Sequence, residues 1–207
     1  MRLVAVQNPC PTRDSHLIDQ MHVLRARVFR DRLGWDVDVV GGREADDYDA
    51  LNPVYMVVVR HSAEQVIGCA RLLPGSGPTM LGRTFPVLLD GKPVPQGHHL
   101  IESSRFCIDT DVAGANTARG LHQATMMLFG GILDWAIAHG HSQVMTVTDL
   151  RFERILKRAG LPFARLGTPH PIGNTTAIAG IVPATEETAS SVRPAGYEPF
   201  RQSLIAA

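Results

Sequence analysis

Residues 54–73, VYMVVVRHSAEQVIGCARLL, carry the first decision about the fold. Val54 to Val59 is a β-branched, apolar run; His61 to Glu64 is short and polar; Gln65 to Leu73 is apolar again. Two such runs across a few polar residues predict an antiparallel hairpin. One residue breaks the second run: Arg71, set among Val66, Ile67, Cys69, Leu72 and Leu73. A guanidinium inside an apolar strand needs a carboxylate partner, and Asp46 or Asp49 upstream is a natural one.

On the N-terminal side, Leu17, Met21, Leu24 and Val28 recur at helical spacing. They predict a helix capped by Asp14 or Ser15 that runs to about Leu33 and stops at Gly34. Asp36 to Pro53 is acid-rich and aperiodic, a long loop of the kind that often carries function. On the C-terminal side, Pro74 to Gly97 is irregular, with a short helix near Phe85 to Leu89. Leu100 to Ile108 reads as a strand, Asn116 to His139 as a long helix weakened at Gly130-Gly131, and Ser142 to Thr148 as a buried strand. Asp149 caps a helix with an apolar face of Phe152, Ile155, Leu156 and Ala159, closed by Gly160. Thr175 to Val182 is the last clear strand, and the tail from 185 to 207 has no assignable pattern. Hairpins mixed with helical crossovers imply an α/β fold, a mixed sheet with helices on both faces, in a single domain over 1–207.

Composition narrows the function. At 44% hydrophobic and 19% charged residues the chain has enough apolar material for a sizeable core. A formal net charge of zero argues against a nucleic-acid binder. No apolar run is long enough for a membrane span, and the N-terminus lacks a signal-peptide pattern. Cys10, Cys69 and Cys107 are odd in number and widely spaced, which fits neither a disulfide framework nor a metal site and suits a reducing cytoplasm. His98-His99 and His139-Gly140-His141 lack a third partner at metal-ligand spacing, so no metal is expected.

Three constellations carry candidate chemistry. Arg25 and Phe29 sit four apart on the first helix, off the Leu17-Met21-Leu24-Val28 stripe, with Trp35 just beyond. They read either as an arginine that holds a carboxylate beside two aromatic rings or as a helix-end aromatic cluster with a solvated arginine. Glu44, Asp46, Asp47 and Asp49 with Arg71 read either as a site for a cationic substrate or as an ion pair that pins the loop. Ile101-Glu102-Ser103-Ser104-Arg105-Phe106 places two charges in a strand. Alternation puts Glu102, Ser104 and Phe106 on one face and Ser103 and Arg105 on the other, unless a bulge re-aims them. A carboxylate beside a hydroxyl is a candidate general-base pair.

Taken in order, these blocks resemble the acyl-homoserine lactone (autoinducer) synthase family. The blocks are Leu24-Arg25-Ala26-Arg27-Val28-Phe29, Gly34-Trp35-Asp36-Val37, Asp46-Asp47-Tyr48-Asp49-Ala50-Leu51, Gly68-Cys69-Ala70-Arg71-Leu72 and Glu102-Ser103-Ser104-Arg105-Phe106, then Val144-Met145-Thr146-Val147-Thr148 and Lys157-Arg158-Ala159-Gly160-Leu161. The resemblance runs from about Met21 to Gly173. It implies a three-layer α/β/α sandwich related to the N-acetyltransferase fold, and an enzyme with no tightly bound cofactor. S-adenosylmethionine is its co-substrate, and the acyl donor is acyl-carrier protein or acyl-coenzyme A. It further implies Glu102 as the base with Asp46 second, Arg71 and Ser104 beside them, and Arg25, Phe29, Trp35, Asp49, Arg105 and Phe106 around S-adenosylmethionine. Met80, Thr146 and Thr148 would line the acyl pocket, and the basic face Arg151, Arg154, Lys157 and Arg158 would receive an acidic carrier protein. Two departures are the glycine-rich Val40-Gly41-Gly42-Arg43 and the small Ser103.

The alternative is an acyl-coenzyme A-dependent N-acetyltransferase of the same fold. That class needs a glycine-rich pyrophosphate turn, whereas Asp109 to Asn116 offers one glycine and two acids. A non-catalytic small-molecule sensor is a third reading, disfavoured by charges placed inside apolar strands.

Overall fold

The structure is a computed structural model that describes residues 1–7, 15–114 and 116–202. The chain opens with β1 (Arg2–Gln7) and α1 (Ser15–Ala26), which continues as a π-helix over Arg27–Arg32. β2 (Val39–Val40) and β3 (Arg43–Glu44) form a small hairpin, followed by a 3-10 turn at Asp47–Ala50. β4 (Val54–Arg60), β5 (Gln65–Pro74), α2 (Met80–Arg83), a 3-10 turn at Pro86–Leu89 and β6 (Leu100–Ile108) come next. α3 (Gln123–Ala138), β7 (Gln143–Asp149), α4 (Leu150–Ala159), β8 (Ala164–Arg165), β9 (His170–Ile172), β10 (Thr175–Pro183), α5 (Glu186–Val192) and β11 (Arg201–Gln202) complete it.

The main sheet runs β11-β1-β4-β5-β6-β7-β10-β8, with β9 paired to β10. It is mixed: β1 and β11 are parallel, as are β6 and β7, and the other pairs are antiparallel. One face packs Tyr55, Val57, Cys69 and Cys107 under Leu24, Val28 and Phe29 of the first helix. The other packs Met56, Ile67, Leu72 and Ile101 under Leu128, Phe129 and Leu133 of α3, with α4 and α5 in the same layer. The result is the three-layer α/β/α sandwich with a mixed sheet.

The predicted hairpin is β4–β5, and the Asp149 cap, whose carboxylate accepts from Phe152 N–H, and the left-handed Gly160 stop fall where expected. The elements differ from the sequence expectation in several places. The run Leu3-Val4-Ala5-Val6 is too short to show a period, yet β1 is a buried inner strand. The long helix starts at Gln123, because 116–122 fold into a tight turn closed by Thr117 N–H on the Leu121 carbonyl (2.7 Å). α3 runs unbroken through Gly130-Gly131: a Cβ on Gly131 would lie 2.1 Å from Leu3, so glycine is what lets β1 approach the helix. The tail supplies α5, N-capped by Thr185, and β11. The proposed caps and the third cysteine, Asp14 and Cys10, lie outside the described residues, as does the Ser15 side chain.

Two irregularities position the site. β6 and β7 pair only from Leu100↔Gln143 to Ser103↔Thr146. Beyond that β6 stays with β5 and β7 with β10, so the sheet splits at their C-terminal ends. β5 and β6 shift register between Cys69↔Cys107 and Arg71↔Ser104, a bulge at Arg105-Phe106.

Candidate active site

The bulge decides which side chains of β6 meet. Ser104 pairs with Arg71, and its Oγ accepts from Arg71 Nε at 3.1 Å. Arg105 adopts φ of +52°, a left-handed conformation that costs a non-glycine residue about 1–3 kcal/mol. That twist puts Arg105 on the same face as Ser104. Its guanidinium reaches Glu44 Oε1 (3.0 Å) and Asp46 Oδ2 (2.7 Å) and lies over the Phe29 ring. Phe106 is thereby turned to the opposite face, where it stacks on Phe129 at 5.1 Å and meets Phe152 edge-on at 4.9 Å. The expectation that Phe106 shares a face with Glu102 and Ser104, beside the charged cluster, is therefore corrected, because the extra residue of the bulge reverses the alternation.

The cluster on the α1 face joins three arginines to three carboxylates. Arg25 donates to Glu44 through Nε and to both Asp49 oxygens at 2.8 Å. Arg71 donates to both Asp46 oxygens and to Asp49 Oδ1 at 2.9 Å. Tyr55 Oη donates to the same Asp49 oxygen at 2.7 Å. Arg25, Glu44 and Arg71 are 0% exposed. Arg25 is thus no solvated helix-end charge: it stands four residues after Met21 and three before Val28, on the edge of the buried stripe. Asp46 and Asp49 cap each other's backbone N–H groups across the 3-10 turn, so the loop is folded around its own acids. Burial would raise the Asp49 carboxyl, but Arg25 and Arg71 hold it well below the usual carboxylate range. Burial opposes the Arg25 charge as well, and Asp49 and Glu44 outweigh it.

Glu102 sits apart from this exchange. It is 0% exposed, and its two oxygens accept from Met80 N–H (2.7 Å) and Leu81 N–H (2.8 Å) at the start of α2. Burial raises its pKa, and those N–H groups and Arg71 only partly offset that. The buried carboxylate is thus a stronger proton acceptor than an exposed one. Met80 sulfur lies 3.2 Å from Arg71 Nη2 and 3.7 Å from Arg105 Nη1, which ties α2 to the cluster. Phe29 and Trp35 stack at 5.1 Å with planes 5° apart. The π-helix builds that stack: Leu33 N–H bonds to Val28 and Trp35 N–H to Phe29, beyond α-helical reach.

The expected acyl-pocket residues divide between faces. Met80 belongs to the charged side. Thr146 and Thr148 alternate with the buried Met145 and the partly buried Val147, which pack under α2 and the neighbouring 3-10 turn, so they point to the α3 face with Val144. The split between β6 and β7 begins at Thr146. On α4, Arg151, Arg154 and Arg158 are exposed, while Lys157 pairs with buried Glu153 at 3.1 Å. Among the described residues no group of three or more His, Cys, Asp or Glu is placed to hold a metal ion, and no helix is long and apolar enough to cross a membrane.

Sequence reasoning placed Glu44 in the acidic loop without assigning it to the site, and passed over Tyr55 and Tyr48. Glu44 carries a signal only in hindsight of the β2–β3 hairpin, which brings it to Arg25. Tyr55 occupies an inward position of β4, where a phenol needs a partner.

A largely buried, charge-balanced cluster with a raised carboxylate thus lies beside a split in a mixed sheet. Residues 11–192 match the autoinducer synthase family. The acyl-homoserine-lactone synthase of Agrobacterium fabrum is 46% identical over 207 residues, which cover 100% of this chain and 98% of that one. The crystal structure of the AHL synthase LasI superposes with a TM-score of 0.76 at 34% identity, covering 92% of this chain and 94% of that one. A coenzyme A-dependent acyl-homoserine lactone synthase, BjaI, with SAM and isopentyl-CoA shares the fold at a TM-score of 0.82 and 21% identity, covering 97% and 93%. The chain belongs to the autoinducer synthase family.

Proposed function

We propose that the protein joins S-adenosylmethionine to an acyl thioester and releases an acyl-homoserine lactone, a diffusible quorum-sensing signal. The observation that carries the reading is the pairing of a buried three-arginine, three-carboxylate cluster with Glu102, a carboxylate held above its ordinary pKa. S-adenosylmethionine presents an ammonium, a sulfonium and a carboxylate, and such a cluster offers both signs of charge at fixed positions.

In this reading Glu102, directly or through one water, takes a proton from the methionyl amine, with Asp46 as the second choice. The amine nitrogen attacks the thioester carbonyl, the C–S bond breaks and the thiol of the donor leaves. The methionyl carboxylate then attacks its own γ-carbon, the bond to the sulfonium breaks, and neutral methylthioadenosine departs as the lactone closes. Arg71 and Ser104 orient the reacting groups. Arg25, Asp49, Arg105, Phe29 and Trp35 shape the S-adenosylmethionine side, and backbone N–H groups of the bulge face the developing oxyanion. The acyl chain runs from Met80 through the split between β6 and β7 toward Thr146, Thr148 and Phe106. The donor is an acyl-carrier protein met by Arg151, Arg154, Lys157 and Arg158, and the reaction runs in the cytoplasm.

The test is direct. Purified protein is incubated with S-adenosylmethionine and acyl donors on carrier protein and on coenzyme A, and methylthioadenosine and lactone are followed by mass spectrometry. Both products are expected with carrier-protein donors; no methylthioadenosine with any donor ends the reading.

A further inference from the structure

Two carboxylates assigned to the amine stand on two different elements. Asp46 belongs to the 3-10 turn at 47–50 as its N-cap. Glu102 is bound to the first N–H groups of α2, so its position is fixed relative to α2. The rim of the site holds one further link between those elements: Tyr48 Oη and Thr84 Oγ1 lie 2.6 Å apart. Thr84 is the C-cap of α2, its N–H on the Met80 carbonyl at 2.8 Å. Tyr48 is bound by its N–H to Asp46 Oδ1 at 3.0 Å, and its ring covers the Arg71 guanidinium at 5.4 Å. Arg71 in turn touches both Asp46 and Met80.

We propose that Tyr48 is a positioning residue for the amine substrate: through Thr84 it fixes the acidic turn against α2, and so fixes Asp46 and Arg71 relative to Glu102 before substrate arrives. The inference rests on the reading of S-adenosylmethionine as substrate. Without the bond, part of the substrate's binding energy goes into ordering the two elements, which weakens binding. Once bound, the substrate spans both elements itself, so the chemical step keeps its geometry. The acyl donor approaches from the split between β6 and β7 and does not depend on the link.

The experiment compares Tyr48→Phe, Thr84→Val, the double variant and Thr84→Ser. A hydrogen bond at a wet rim is worth about a factor of five. Tyr48→Phe keeps the ring over Arg71, so only the bond is lost. It is expected to raise KM for S-adenosylmethionine about fivefold, with kcat within about twofold and KM for the donor unchanged. Thr84→Val should do the same, the double variant should be no worse than either, and Thr84→Ser should restore wild-type values. A wild-type KM in Tyr48→Phe, or additive losses in the double variant, overturns the proposal. Hydrogen exchange on the substrate-free protein gives a readout that needs no turnover. Exchange at 46–51 and at 80–84 should rise together in Tyr48→Phe, and unchanged exchange overturns the link even for a protein that releases no methylthioadenosine. Where Tyr48→Phe unfolds, Thr84→Val at the exposed end of α2 carries the same comparison.

Discussion

Strand β6 shows the two sides of this protein within six residues. Toward α1 it sends Ser104 and Arg105 into a cluster of paired charges, and Glu102 beside it onto the first N–H groups of α2. Toward α3 it sends Ile101 and Phe106 into an apolar layer with Phe129 and Phe152. The first side is held by groups with several partners each, so no member can change alone. The second is held by burial, which is non-directional and tolerates change of similar volume. A site that must recognise fixed charges and also house a variable hydrocarbon chain needs both kinds of wall. The bulge at Arg105 lets one strand serve both.

The comparison breaks first, and with the largest effect, at Asp49. Its carboxylate serves Arg25, Arg71 and Tyr55, so Asp49→Asn leaves two buried guanidiniums short of charge. The expected cost is about 3–5 kcal/mol, read as a loss of roughly 10 °C in the thermal midpoint. Phe152→Leu on the other side should cost about 1.5 kcal/mol or less. Equal losses at the two positions would remove the distinction. Next in size is Glu102→Gln. It should lower kcat about a hundredfold or more while S-adenosylmethionine binding, followed calorimetrically, stays within about threefold. Near-normal turnover would move the base to Asp46.

The contrast between the two sides was only half legible in the sequence. Arg71 stood out because a charge in an apolar strand has few explanations, and the structure supplies both expected partners, Asp46 and Asp49. Strands β4, β6, β7 and β10 and helix α4 were readable from period and caps. Arg25 stood between two readings, since the apolar stripe alone does not reveal that a guanidinium lies at its buried edge; its bonds to Glu44 and Asp49 select the carboxylate-holding one. The facing of Phe106 depended on whether a bulge interrupts the strand: a one-residue bulge reverses alternation, and nothing local in Ser104-Arg105-Phe106 decides for or against one. β1 and β11 are defined by partners distant in sequence, so their own few residues carry little signal.

Acid sharpens the same contrast at a smaller scale. Arg25 and Arg71 depress the Asp49 carboxyl in the folded state, although burial works against them. Its stabilising contribution is therefore complete above the unfolded value near 4 and is lost as pH falls toward the folded value. The stability difference between wild type and Asp49→Asn should shrink by about 1.4 kcal/mol per pH unit below pH 4. It should stay constant above pH 6, as measured by urea unfolding across pH. Glu102 has the opposite sign: its pKa is raised, so its ionisation weakens the fold as pH rises through that value and sets an acid limb on kcat above the ordinary glutamate range. On the other face, a Thr146 hydroxyl that bonds the oxygen of a 3-oxo acyl chain predicts that Thr146→Val lowers kcat/KM about fivefold for 3-oxo donors and leaves unsubstituted donors unchanged; an equal effect on both would assign Thr146 to packing alone.

The smallest effect belongs to the surface. Arg151 and Arg154 are exposed on α4, and among the described residues Arg154 donates only to the Leu150 carbonyl at 3.2 Å. Charges on a wet rim change encounter rates more than they change complex stability, and salt screens them within about 8–10 Å. The paired change Arg151→Ala and Arg154→Ala should therefore lower kcat/KM for an acyl-carrier-protein donor by about threefold at low salt. It should leave kcat and the coenzyme A donor untouched and lose its effect at high salt. The same loss with a coenzyme A donor would mean that the helix contacts the thioester arm rather than an acidic protein, and the donor assignment would change while the chemistry on the α1 face stayed as derived.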